Sequence, residues 1–224
     1  MAALKYVDPY KGFKSYGGLK PGWIGLKAKL VPNSIGHRRE LGLLLNAQNL
    51  TGRGVEIGVK EGKFSERILH YWRGKLLVSI DPWREFGGEY QDKANVAQAQ
   101  QDDYYHETQA RLDRFGERSR IVRLTSEEGA AQTEDGSLDF AYLDAQHHYE
   151  AVKQDIELWW PKVRRGGLLC GHDYSDEDET DERGTVTVFE VKRAVDEFAR
   201  AAHAPLFITS KDKRPSWFVR KNQG

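Results

Sequence analysis

A single cysteine, Cys170, and a single methionine stand in a chain of 224 residues. One cysteine can form neither an intrachain disulfide nor a cysteine-rich metal site, which leaves a reducing, cytoplasmic setting as the expectation. No stretch approaches the roughly 20 apolar residues that a membrane-spanning helix requires. The opening Met1-Ala-Ala-Leu-Lys-Tyr-Val-Asp8 also lacks the apolar run of a signal peptide. Charge of one sign is missing too, since 34 Lys and Arg balance 34 Asp and Glu. Net charge therefore recruits neither nucleic acid nor an anionic membrane, and a small molecule is the expected partner. No internal repeat is visible. Aromatic residues are plentiful, with 6 Trp, 10 Tyr and 9 Phe, enough for a large core or an aromatic-lined pocket. This length fits one domain over residues 34–224, preceded by an N-terminal arm or cap over 1–33. The arm combines Gly17-Gly18 and Pro21-Gly22 with Tyr10, Phe13, Tyr16 and Trp23. Those aromatics call for a surface to pack on, either the domain's own or that of a second subunit in a homodimer.

Apolar spacing divides the rest into alternating strands and helices. Ser34 is placed to cap a helix over 35–48, and Gly54 to Phe64 reads as a strand, a glycine turn and the start of a helix running to about Tyr71. Lys75 to Ile80 is a nearly continuous apolar run, as expected of a strand covered on both faces. Further strands are expected at 120–124, 138–143 and 168–170, with helices at 95–115, 149–160 and 186–201. The acidic stretch 174–184 reads either as a solvated loop or as a lid. Leu206–Thr209 and Trp217–Val219 close the chain as a hairpin. Five strand–helix alternations followed by a hairpin predict an α/β fold: a seven-stranded, mostly parallel sheet with one antiparallel strand and helices on both faces.

Such sheets bind ligands beyond the carboxyl ends of their strands. Reading off those ends gives Glu56 and Gly58, Asp81, Ser126 and Glu127, Asp144, and His172-Asp173. Gly58 and Gly62 lack the third glycine of the dinucleotide fingerprint, and the spacing is instead Glu-x-Gly-x-x-x-Gly. Asp81 follows Glu56 on the neighbouring strand, where a carboxylate can accept bonds from both hydroxyls of a ribose. Trp83 can stack on an adenine or pack in the core, and Ser126 and Glu127 can bond the adenine edge or cap a helix. Asp144 and Asp173 end adjacent strands, so their carboxylates can converge on a hard divalent cation such as Mg²⁺. His172 as a further ligand shifts the preference toward Mn or another transition metal. Either His147 or His148 can serve as general base for a substrate hydroxyl, and His147, just past the strand-end Asp144, is the expected one. Cys170 reads as inert core.

The run Asp139-Phe-Ala-Tyr-Leu-Asp144-Ala-Gln-His147-His-Tyr149-Glu150, with Gly166-Gly167, Gly171-His-Asp173-Tyr174 and Val191-Lys-Arg-Ala-Val-Asp196, carries a resemblance. Together with the Glu56–Gly62 turn, it is similar to class I S-adenosylmethionine (SAM)-dependent methyltransferases, in particular the group around macrocin O-methyltransferase and the cephalosporin-biosynthesis methylation proteins. The resemblance implies a Rossmann-like fold, SAM as cofactor held by Glu56, Gly58, Gly62 and Asp81, and often Mg²⁺ held by Asp144 and Asp173. His147 matches the histidine after the first metal ligand. His172 and Gln146 depart from positions where the family often carries an acid. The implied reaction is O-methylation of a small-molecule hydroxyl on a sugar, polyketide or phenol. The rival readings are a non-catalytic SAM- or nucleotide-binding protein and an NAD-dependent oxidoreductase.

Overall fold

The computed structural model describes residues 35–87, 94–182, 184 and 186–222. The expected N-terminal arm and the capping role of Ser34 lie outside these residues. In chain order the strands are β1 (Arg53–Ile57), β2 (Leu76–Ile80), β3 (Ser119–Val122), β4 (Leu138–Leu143), β5 (Val163–Gly171), β6 (Glu179–Thr180), β7 (Val186–Thr187), β8 (Leu206–Ile208) and β9 (Trp217–Arg220). The α-helices are α1 (Leu41–Ala47), α2 (Lys63–Tyr71), α3 (Gln98–Leu112), α4 (Ser126–Ala131), α5 (Tyr149–Trp159) and α6 (Val191–Ala201).

Seven of the strands form one sheet in the order β3-β2-β1-β4-β5-β9-β8. The first five run parallel, β9 runs against β5, and β8 runs against β9, so β9 is the one antiparallel member. This is the predicted Rossmann-like α/β sheet. The order reverses between β1 and β4, which places a crevice at their carboxyl ends.

Burial on both faces explains why the strand sequences are so apolar. Every residue of β4 is buried. Phe140 and Tyr142 point to a cluster with Leu41, Leu44, Ile68 and Trp72 from α1, α2 and the residue after it, while Ala141 and Leu143 point to Val152, Ile156 and Val195 from α5 and α6. One sheet thus separates two cores. Cys170 lies in the first of these, fully buried, with its thiol pushed up by burial, as inert as expected.

The boundaries differ from expectation in three places. The helix expected from residue 35 begins as a 3-10 turn at Arg38–Glu40, with His37 at its N-cap position. β5 starts at Val163, earlier than the glycine pair, and a register shift against β4 between Leu138 and Phe140 absorbs the irregularity. The helix expected from 186 begins at Val191 instead. The β-branched pair Val186-Thr187 forms β7, which pairs with β6 inside the acidic stretch.

Gly54 sits where β1 passes the Phe140 ring, and a Cβ built there would lie 2.0 Å from that ring. Gly54→Ala is expected to destabilise the fold by roughly 1–3 kcal/mol through overpacking. Phe140→Leu in the same chain should return part of that loss. Urea midpoints of the single and double variants measure both, and an additive double variant would show that the ring is not what Gly54 accommodates.

Candidate active site

At the end of β1 the chain turns at Gly58 with φ +82°, and a Cβ there would lie 2.2 Å from the carbonyl oxygen of Asp144. Only glycine allows this approach, because the left-handed conformation and the contact with backbone both exclude a side chain. Asp144 N–H closes this seam by donating to the Ile57 carbonyl at 2.8 Å, while Gly58 N–H ties the turn to β2 by donating to the Ile80 carbonyl at 3.0 Å. Beyond this seam opens a cleft of about 830 Å³. Its walls bring together Glu56, Gly58, Asp81, Ser126, Glu127, Asp144, His147, His172 and Asp173. Nearly the whole set read from the strand ends therefore meets in one cavity.

Gly62 and Trp83 do not line it. Gly62 turns with φ +71° against Thr108 of α3, so it shapes the turn from outside. Trp83 is fully buried, against the stacking role offered for it. Its backbone at φ +41° swings the ring inward, its indole N–H donates to the Lys60 carbonyl at 2.7 Å, and it packs on Tyr105. The physical reason is that an indole N–H inside the fold needs an acceptor, and the turn carbonyl supplies one.

Asp81 is more tightly engaged than its expected role requires. One oxygen accepts the N–H groups of Val59 and Lys60 at 2.8 and 2.9 Å, and the other accepts the Trp83 N–H at 2.8 Å. It therefore holds the glycine turn in shape while still lining the cleft, with acceptor capacity left for hydroxyl donors. The cap of α4 is Thr125, in a capping box with Glu128, rather than Ser126. Ser126 instead donates to Asp155 and accepts the Trp159 indole N–H at 2.8 Å, while Glu127 accepts from Gln154. Asp155, absent from the sequence-based set, also lines the cleft, and burial raises its pKa to about 6 against the opposing Ser126 bond. Glu56 is 1% exposed. Burial lifts its pKa to about 8, and the bond from the Ser65 hydroxyl counters this only in part.

The other half of the cleft is an ion network. Asp173 stands at φ +50°, an uncommon backbone conformation for a residue other than glycine. His147 Nε2 lies 3.1 Å from Asp173 Oδ2, and His172 Nδ1 lies 3.1 Å from Asp173 Oδ1 and 3.7 Å from Asp144 Oδ1. Burial alone would raise the Asp173 pKa, but the bonds from His147 and His172 hold it well below the usual carboxylate range. Asp144 goes the other way: burial raises it, against the attraction of His172 and Arg38. Arg38, which no motif singled out, donates from Nη1 to Asp144 Oδ2 at 2.9 Å. The only sequence signal for it was the basic run His37-Arg38-Arg39 ahead of the leucine-rich helix.

Asp144, His147 and Asp173 offer ligand atoms that all lie within 4.8 Å of one another, and His172, the ligand expected from the sequence, stands beside both aspartates. By distance this suits a divalent ion. By charge it does not, because Arg38 already holds Asp144. The guanidinium neutralises Asp144 and leaves Asp173 as the one carboxylate charge to offset an incoming dication, against the repulsion from Arg38. The donor set does not fit a metal while Arg38 is in place, and no step below runs through one.

Glu56 gives this site a pH signature. Its folded pKa of about 8 lies above the model-compound value of 4.5. The folded state then holds a proton that the unfolded state has released, and stability falls as pH rises between those values, by a few kcal/mol in all. Glu56→Gln stays neutral throughout, so its stability is expected to fall less than the wild type's between pH 5 and pH 8. Urea unfolding at the two pH values measures this, and a difference between the proteins that is independent of pH would show that Glu56 does not titrate in the fold.

Comparison with known proteins agrees with the sheet. An uncharacterized protein of Sinorhizobium fredii is 33% identical over 131 residues, 58% of this chain, and the match spans only 13% of that relative's length. Among solved structures, the O-methyltransferase from Bacillus cereus in complex with S-adenosylhomocysteine (SAH) superposes with a TM-score of 0.54 at 15% identity, covering 90% of this chain and 89% of its own. The 1,6-didemethyltoxoflavin-N1-methyltransferase of Burkholderia thailandensis, also with bound SAH, gives 0.53 at 13% identity, covering 93% of both chains. Residues 55–174, just over half of the chain and the whole stretch from β1 through the rim residue Asp173, match the family described as a methyltransferase domain, and the protein belongs to that family.

Proposed function

We propose that the protein transfers the methyl group of SAM to a hydroxyl oxygen of a small molecule. The single observation that carries this reading is the continuity of the cleft: the glycine turn with Glu56, Gly58 and Asp81 opens directly onto the His147–Asp173 pair. The methyltransferase family and the SAH bound in the two neighbours named above support the choice of cofactor. In the cofactor half, Asp81 is placed to accept from ribose hydroxyls, and the buried Glu56 is the group that a ligand's ammonium would ionise. Ser126, Glu127 and Asp155 border the region beyond β3, where an adenine would lie.

SAM supplies an activated methyl group on a sulfonium. The protein's share is to align an acceptor oxygen with that carbon and to take its proton. His147 takes the proton as the oxygen–carbon bond forms and the carbon–sulfur bond breaks, the electron pair staying on sulfur. Asp173 orients the His147 ring and pairs with the imidazolium that results. This base is the reason to choose oxygen over nitrogen. An amine attacks through a lone pair it already has, whereas a hydroxyl gains nucleophilicity by losing its proton.

Calorimetric titration with SAH and with SAM is the test of the cofactor, and one-to-one binding is expected. Asp81→Asn should weaken it by about tenfold or more, through loss of a charge-assisted bond. Because Asp81 also holds the turn, the variant's folding is checked by circular dichroism. His147→Ala should leave SAH affinity within about threefold while lowering transfer from radiolabelled SAM to a panel of sugars and phenols by roughly 10²-fold or more. A folded wild-type protein that binds neither cofactor would overturn the reading.

A further inference from the structure

Arg38 lies 106 positions from Asp144 in sequence and yet bonds it at 2.9 Å, closer than the neighbouring His172 at 3.7 Å. We infer that the Arg38 guanidinium is the resident cation of the acceptor site. It supplies beside Asp144 the positive charge that a divalent ion would otherwise bring, so methyl transfer here needs no metal.

Three features of the site support this. First, each of the four carboxylate oxygens of the two rim aspartates has a side-chain nitrogen within 3.7 Å: Arg38 and His172 on Asp144, His172 and His147 on Asp173. Both carboxylates are therefore engaged within the fold, Asp144 by a fixed cation. Second, Arg38 is delivered by anchored backbone. The Lys211 N–H donates to the Gly36 carbonyl at 2.8 Å, the Arg38 N–H donates to Asp212 Oδ2 at 2.8 Å, and His37 Nδ1 pairs with Asp212 Oδ1 at 2.7 Å. The segment before α1 is thereby tied to the connection between β8 and β9. The guanidinium carbon then rests 4.9 Å from the centre of the Phe64 ring. Third, Arg38 lines the cleft, and a guanidinium carries five N–H donors in a rigid fork, more than its bond to Asp144 uses. A donor directed at the acceptor oxygen would stabilise the negative charge that develops there as His147 withdraws the proton. Arg38 keeps its charge at every working pH, so this support does not depend on ion supply.

The role of Arg38 toward the acceptor rests on the methyl-transfer reading above, whereas its exclusion of metal does not. The test therefore measures Mn²⁺ binding by calorimetry and by electron paramagnetic resonance, in the wild type, Arg38→Lys, Arg38→Ala and Arg38→Met. The Met variant keeps an unbranched side chain against Phe64 without the charge, in case the Ala variant does not fold, and SAH titration with circular dichroism reports the folding of each. Wild type and Arg38→Lys are expected to bind Mn²⁺ at least about tenfold more weakly than the uncharged variants, since removing one fixed cation unmasks the carboxylate pair. Wild-type transfer is expected to survive EDTA. Equal Mn²⁺ affinity in wild type and uncharged variants, whether tight or absent, would overturn the proposal. So would wild-type activity lost in EDTA and restored by Mn²⁺. Failure of the wild type to bind SAH would sink the methyl-transfer reading instead and leave the Mn²⁺ comparison to be judged by itself.

Discussion

The seam between β1 and β4 is the constraint on which the rest depends. The Gly58 backbone lies so close to the Asp144 carbonyl that no side chain fits between them, and the Asp144 N–H completes the closure by bonding to Ile57. Because the seam is closed by backbone, the crevice above it has a floor that side-chain motion cannot open. Glu56 on one side and Asp144 on the other are then fixed across a single cleft, although 88 positions separate them. Strand order creates the opportunity by reversing at this seam.

The two halves of the cleft handle charge differently. On the β1–β2 side, Glu56 is buried with a bond from the Ser65 hydroxyl, and burial, against the more distant charge of Arg38, keeps its proton on to about pH 8. On the β4–β5 side, two aspartates are surrounded by an arginine and two histidines. A cationic ligand suits the first environment and an oxygen that becomes negative suits the second. The methyl transfer proposed above, from a sulfonium to a hydroxyl, asks for that arrangement, and the order of strands along the sheet places the two environments side by side.

Much of the cleft is legible in the sequence. The strand-end residues Glu56, Gly58, Asp81, Ser126, Glu127, Asp144, His147, His172 and Asp173 all line it, because a parallel sheet sends every carboxyl end to the same edge. Trp83 departs from that pattern for a local reason. Its position after Asp81-Pro82 points to the rim, but a positive φ turns the ring into the fold, where Lys60 satisfies the indole. The acidic stretch 174–184 conceals the strand β6, since charge density masks a weak β-branched pairing partner further on. Arg38 is not legible as a site residue, because its partner is distant in sequence and its own neighbourhood carries no motif.

The sequence by itself therefore determined the alternation of strands and helices, the tight glycine turn and the acidic rim, because periodicity and backbone permissiveness are local properties of the chain. The tertiary structure alone decided which rim residues are neutral and which are ionised, which histidine meets which aspartate, and that an arginine from before the first α-helix closes the network. Those are matters of desolvation and of distance between side chains, and both exist only once segments remote in sequence have been packed against each other.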